Sequence, residues 1–182
     1  MSNKLTLVIV CFCLISLNAF TQESGYSRKN SFDVRYKFNF TDNDKVKPFA
    51  ETGHTAQLAG TFGLLESIAV GPTFDYSYLK GFTHEHNFSL GADVILYPLH
   101  LIDQLRSKPY NPAKSKYYIS YGYYIPLNKG DIKAVSNFNL YVYTFDLGNK
   151  LKVSPTFGAT FYDQKNDKMS LDYISLGLTF RF

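Results

Sequence analysis

Tryptophan is absent from this 182-residue chain, and its only cysteines are Cys11 and Cys13. Both fall in one short apolar run near the start. Beyond that run there is no thiol, which excludes a disulfide framework, a Cys-ligated metal and a Cys nucleophile. Neither cysteine follows a small residue, because Val10 and Phe12 precede them, and this speaks against a lipoprotein anchor. Long apolar runs are also missing: none approaches the roughly 20 residues that a membrane-crossing helix requires. If the chain enters a bilayer, it must do so as strands that satisfy their backbone groups by pairing. The net charge is only +4, with acids and bases interspersed, so no nucleic-acid stripe or polybasic membrane patch stands out. No glycine-rich loop of the phosphate-cradling kind occurs.

Aromatic residues, by contrast, are abundant, with 16 Phe and 15 Tyr. The length suits one domain with a single core. Residues 1–22 read as an export signal: Lys4 gives a basic start, Leu5–Leu17 is apolar, and Ala19 offers a small residue at a cleavage point. The expected organisation is therefore a signal peptide over 1–22 and one domain over 23–182.

That domain is organised around its last residues. Over Leu171–Phe182 the even positions from Ile174 on (Ile174, Leu176, Leu178, Phe180, Phe182) are large and apolar, and the odd ones from Tyr173 on (Tyr173, Ser175, Gly177, Thr179, Arg181) are small or polar. A two-residue period of this kind is a β-strand with one greasy face. Seven earlier segments resemble it: Phe32–Phe40, His54–Leu64, Ile68–Tyr78, His86–Tyr97, Lys116–Leu127, Asn137–Leu147 and Leu151–Tyr162. The sixth, Asn137–Leu147, is aromatic or aliphatic on both faces and leaves its orientation open. Val70-Gly71-Pro72-Thr73-Phe74 recurs as Val153-Ser154-Pro155-Thr156-Phe157, and Ser89-Leu90-Gly91 recurs as Ser175-Leu176-Gly177. Two hairpins thus read as copies of one unit, as an up-and-down barrel allows. Pro72 and Pro155 each remove a ladder donor and predict a nearby bulge or strand end.

Connections alternate between tight (Glu66-Ser67 and Gly148-Asn149) and long (Thr41–Gly53, Leu79–Glu85, Asn128–Ser136, Asp163–Ser170). With the N-terminus in the periplasm, the tight turns are periplasmic and the long loops face outward. Pro98–Ser115 is the exception, a long link on the short-turn side. In it Leu99, Ile102 and Leu105, followed by Arg106 and Lys108, suggest a short amphipathic helix at the inner interface; a Pro-punctuated loop is the alternative.

Alternation alone does not say which face is inside, since a soluble lipocalin-like cup turns its greasy face inward. The polar face decides. Where its faces can be assigned it is dominated by Gly, Ala, Ser and Thr, has no Glu where a solvated surface would carry many Lys and Glu, and carries only Asp33, Arg35, Lys37, Asp75, Asp93, Lys152 and Arg181 as charges. Small side chains and balanced charges suit a narrow lumen that must be filled. The expectation is an all-β, eight-stranded antiparallel transmembrane barrel. Those charges plug its lumen, Tyr118, Tyr124 and Tyr173 fill the remainder, and outer-membrane lipid wets the greasy face. Phe40, Tyr78, Tyr97, Tyr117, Tyr162 and Phe182, near strand ends, would form interface girdles.

On the signal, the eight alternating segments and the terminal Ser175-Leu176-Gly177-Leu178-Thr179-Phe180-Arg181-Phe182, the chain resembles small bacterial outer-membrane β-barrel proteins. These are the "outer membrane protein beta-barrel domain" group, of OmpA/OmpX-like architecture. The resemblance implies residence in the outer membrane of a Gram-negative cell. It also implies recognition by the barrel-assembly machinery through Ile174, Leu176, Leu178, Phe180 and Phe182. It does not name a ligand, because the group is defined by architecture. A structural or adhesive role through the outward loops is the first reading, a narrow, porin-like solute pore the second, and a lipid-modifying enzyme the third. His84-Glu85-His86 could place two imidazoles on one face, but no third ligand accompanies them. A hydrolase would need a Ser activated by a His at the rim; His54, His84, His86 and Ser77 lie in that region without a signature, and His100 is isolated. No enzyme activity, cofactor, metal or nucleic-acid partner is assigned.

Overall fold

A computed structural model describes residues 30–41, 52–79, 86–109, 111–128, 132–148, 151–164 and 170–182. The signal over 1–22, the pair His84 and Glu85, and residues 42–51, 80–85, 129–131 and 165–169 of the long connections lie outside the described residues. Among the described residues nine strands form one sheet: β1 (Ser31–Phe40), β2 (Thr52–Gly63), β3 (Ile68–Leu79), β4 (His86–Leu96), β5 (Tyr118–Pro126), β6 (Ile132–Tyr141), β7 (Phe145–Leu147), β8 (Leu151–Gln164) and β9 (Ser170–Arg181). Every pairing is antiparallel, and each strand pairs with its sequence neighbour except that β6 and β7 lie end to end along β8. The sheet closes where β9 meets β1, Asp33 opposite Arg181 through Phe40 opposite Ile174. Reciprocal backbone bonds between Phe32 and Phe182 (3.1 and 2.9 Å) extend that seam. With β6 and β7 counted as one interrupted wall, this is a closed eight-stranded up-and-down barrel, closed because β9 pairs with β1 and β6 with β8.

The sixth wall shows why its faces resist reading. The register of β6 on β8 shifts between Ile132 and Ala134. It shifts again between Tyr141, opposite Thr156, and Phe145, opposite Val153, so three residues of one strand oppose two of the other. Each bulge moves the inward parity by one: Ile132 points in, then Val135, Asn137, Asn139 and Tyr141, then Thr144. The wall also begins earlier than expected, at Ile132 rather than Asn137, so residues 132–136 are strand and not loop.

The two prolines behave differently. Pro155 sits opposite the second bulge, where its missing N–H costs no ladder bond. Pro72 lies mid-strand, and the β2–β3 ladder skips the two residues facing it and Gly71. The repeated sequence units keep one register: Thr73 faces Gly91 and Phe74 faces Leu90, as Thr156 faces Gly177 and Phe157 faces Leu176.

Between β4 and β5 stands the helix α1 (Pro98–Leu105), followed by a 3₁₀ turn at Pro112–Lys116. Pro98 opens α1 at a position where a missing N–H costs nothing.

Candidate functional site

Alternation places every second side chain of each wall inside the barrel, and the inside is polar. Asp33, Arg35, Lys37, Asp75 and Asp93 are buried, with Asn39, Thr55, Gln57, Ser77, Asn137 and Asn139 among them. Outside, Phe32, Phe38, Leu58, Phe74, Leu90, Val94, Phe138 and Phe157 are exposed. Ile174, Leu176, Leu178 and Phe182 are exposed as well, with Phe180 half-buried.

The charges form a chain across the lumen. Arg181 grips Asp33 with two bonds (Nε to Oδ1, 2.7 Å; Nη2 to Oδ2, 2.8 Å), and the two residues face each other across the closing seam. Arg35 donates to the same carboxylate (3.3 Å) and, with its other amino group, to Asp93 on β4. Asp93 also accepts from Tyr124 Oη (2.6 Å). Gln57 links Tyr124 Oη (3.4 Å) to Asp75 (3.2 Å), and Ser77 donates to Asp75 (3.1 Å). Lys37 spans from β1 to Asn139 on β6 (3.2 Å). Among the described residues, neither Lys37 nor Asp75 takes part in a salt bridge. Three carboxylates (Asp33, Asp75, Asp93) thus meet three cations (Arg35, Lys37, Arg181) in a neutral, cross-linked interior. Ion pairing holds Asp33, Asp93, Arg35 and Arg181, which is what allows charge to persist out of bulk water, while Lys37 and Asp75 are held by hydrogen bonds to neutral side chains.

Lys152 does not join this set. It shares the inward parity of β8, but it stands at the strand's first turn, 54% exposed, and meets Asp146 at the rim (3.7 Å).

Tyr118, Tyr124 and Tyr173 are buried inside as expected, and Tyr97, Tyr141 and Tyr162 join them. Tyr97 and Tyr162 therefore leave the proposed girdle, while Phe40, Tyr117 and Phe182 remain exposed on the outer side. Tyr118 and Tyr141 stack at 4.0 Å, and Arg181 lies over the Tyr118 ring at 4.7 Å. Arg181 also donates to Tyr97 Oη (3.2 Å). The parity of Tyr97 with Asp93, and of Tyr162 with Thr160, was visible in the sequence; that of Tyr141 was hidden by the bulges.

The rim histidines separate from the rim serine. Ser77 points inward, bonded to Asp75 and accepting from Tyr162 Oη (3.2 Å). His54 and His86 lie on the other face of the sheet, His54 stacked on Tyr78 at 5.8 Å and His86 bonded to Tyr76 Oη (2.8 Å). The sheet stands between nucleophile and base, so they form no pair. Among the described residues no cluster of three metal-ligating groups occurs.

The helix α1 is mounted with its polar side toward the protein. His100 and Asp103 are buried, while Leu99, Leu101, Ile102 and Leu105 are exposed, Leu105 to 80%. His100 Nε2 shares a hydrogen bond with Ser115 Oγ (2.8 Å), Lys114 is paired with Asp103, and Gln104 accepts from Ser67 in the β2–β3 turn (2.7 Å). The Lys114 ammonium holds the Asp103 carboxyl below the usual carboxylate range. Tyr143 and Asp146, both bonded to Lys116, raise that lysine above its ordinary value.

Polar within, apolar without, and sealed at the β1–β9 seam, the molecule is an inside-out barrel. No protein-family model and no curated protein matches the sequence. Among solved structures the chain is similar to the backbone structure of the Yersinia pestis outer membrane protein Ail in a phospholipid bilayer nanodisc. The identity is 11%, over 84% of this chain and 98% of that one, with a TM-score of 0.42.

Proposed function

We propose that the protein is an integral barrel of the bacterial outer membrane whose lumen is closed, and that it serves a structural or surface-binding role through its long connections. One observation carries this reading: the large apolar side chains from Phe32 to Phe182 are exposed on the outward face, while the charged, amide and hydroxyl side chains are buried on the inward face with tyrosines among them. In water such a surface would far exceed the few hundred Å² of contiguous apolar patch that soluble monomers tolerate. In hydrocarbon it is the favourable arrangement, because the strands satisfy their backbone groups by pairing with neighbours around the barrel. The helix repeats the same inversion at the short-turn end.

A closed lumen is favoured over a pore because Arg35, Lys37 and Gln57 reach across it to other walls. The barrel-assembly machinery reads the outward face of β9, and the export signal delivers the chain to it. Flotation of the refolded chain with phospholipid vesicles tests the placement: co-flotation and urea resistance are expected, and a detergent-free soluble monomer refutes it. Replacing residues 42–50 with a short Gly-Ser link tests the surface role. Loss of binding of expressing cells to host or matrix surfaces, with barrel assembly intact, is the expected result. Unchanged binding removes that loop from the role.

A further inference from the structure

The membrane placement leaves unexplained an apolar pocket of about 290 Å³ on the outer wall, lined by Pro98, Leu99, Tyr117, Tyr118, Ile119 and Leu140. It lies where α1 leaves the barrel, so one side is helix and the other is the start of β5 with its neighbour on β6. A cavity of this size would hold roughly ten waters at ~30 Å³ each, yet an apolar lining offers them no partners. Hydrocarbon is the chemistry that fits it.

The same connection concentrates positive charge. Between Pro98 and Tyr117 the only acid is Asp103, against Arg106, Lys108, Lys114 and Lys116. Asp103 is committed to Lys114, and Lys116 is tied to Asp146. Arg106 and Lys108 are exposed and, among the described residues, in no salt bridge. The apolar side of α1 (Leu99, Ile102, Leu105) connects the pocket to those two cations, which follow directly on its last turn. At about 1.5 Å per residue, Arg106 is roughly 10 Å along the helix from Leu99, within the span of one phospholipid lying against it.

Resting on the membrane reading above, we propose that the groove between α1 and the β5–β6 wall is a binding site for one anionic phospholipid of the leaflet facing the short turns. An acyl chain occupies the pocket beside Ile119 and Leu140, and the headgroup phosphate is held by Arg106 and Lys108. The site differs from ordinary boundary lipid in two ways that can be measured: it retains one molecule, and it prefers negative charge.

Native mass spectrometry of the refolded full barrel, released from mixed micelles containing equal phosphatidylglycerol and phosphatidylcholine, tests this. One retained phosphatidylglycerol per barrel is expected, at least about fivefold over phosphatidylcholine. That factor corresponds to roughly 1 kcal/mol of preference, at 1.4 kcal/mol per tenfold. The double substitution Arg106→Gln/Lys108→Gln should abolish the preference while leaving some retention. Ile119→Trp, which fills the pocket from an outward position, should abolish retention of both lipids. Leu140→Phe serves the same purpose if the first variant does not fold, folding being read by altered gel mobility without heating. Equal retention of both lipids by the native chain, or undiminished phosphatidylglycerol retention in the pocket variants, overturns the site. Failure of the native chain to enter vesicles overturns the membrane reading instead, so the two failures are distinguishable.

Discussion

Asp33 is the most informative residue to perturb, because it holds the seam between the first and last strands and anchors the lumen network together. It accepts three charge-assisted bonds, two from Arg181 (2.7 and 2.8 Å) and one from Arg35 (3.3 Å), and it is fully buried. In Asp33→Asn the shape is kept and the charge is lost. The interior moves from neutral to one net positive charge, with Arg35 still answered by Asp93 but Arg181 left with Tyr97 Oη and the Tyr118 ring. Bonds of this charged type contribute about 1.5–3 kcal/mol each but are not additive. Breaking a buried pair by removing one partner costs about 3–5 kcal/mol, and that is the expected loss. Urea unfolding of the barrel in phospholipid vesicles, followed by gel mobility and tyrosine fluorescence, supplies the number. A second variant, Asp33→Asn/Arg181→Met, removes both charges and should recover more than half of the loss. A penalty below about 1 kcal/mol for the single variant would falsify the dry, paired lumen, since only water could replace the lost partner so cheaply.

Three further outcomes follow from the same geometry. A side chain at Gly122 would collide with Tyr124 Oη and the Asp93 carboxylate; Gly122→Val should cost about 1–3 kcal/mol by overpacking, and a neutral result in the same unfolding assay would mean that Tyr124 can vacate the lumen. Phe157→Arg places a cation on the outward face of β8 and should cost about 2–4 kcal/mol in vesicles if that residue lies near mid-bilayer, whereas Ile102→Arg on α1 should cost at most about 1 kcal/mol at the interface; equal costs would show that the helix and barrel wall lie at one depth. The Asp103 carboxyl is held below its ordinary range by Lys114, so its contribution is present above the ordinary carboxyl range and is lost as pH falls through the lowered value. Hydrogen-exchange protection across residues 98–109 and 111–116, corrected for the intrinsic exchange rate, should therefore fall on acidification in the native chain, and Lys114→Met should be less protected above that range and lose most of the pH dependence.

Period and composition go far with this chain. Outward Phe and Leu against inward Ser, Gly and Asp are legible on seven of eight walls, as is the copied hairpin with its Pro-Thr-Phe element. The reason is that a strand's side-chain period is fixed at two, so a sequence can state a face without knowing what lies opposite. Faces are illegible where the count slips. In the sixth wall the bulge between Tyr141 and Phe145 exchanges the faces of Asn137–Leu147, and its one mark in the sequence is Pro155 on the neighbouring strand. Depth is illegible at strand ends, where parity is right. Lys152 is on the inward register and yet sits at the rim, while Tyr97 and Tyr162, whose places near strand ends suggest a girdle, lie inside.

By itself the sequence determined the barrel, its polarity and the membership of most of the lumen, because those follow from alternation along single strands. Only the tertiary structure decided which charges meet. Asp33 finds Arg181 from the other end of the chain, Arg35 finds Asp93 across the cavity, and Lys37 settles on Asn139 rather than on a carboxylate. It also decided that α1 shows its leucines to the outside, because His100, Asp103 and Gln104 are claimed by Ser115, Lys114 and Ser67 from other segments. Closure sets these pairings: it fixes which walls are neighbours and which stand opposite, and no local pattern along one strand contains that information.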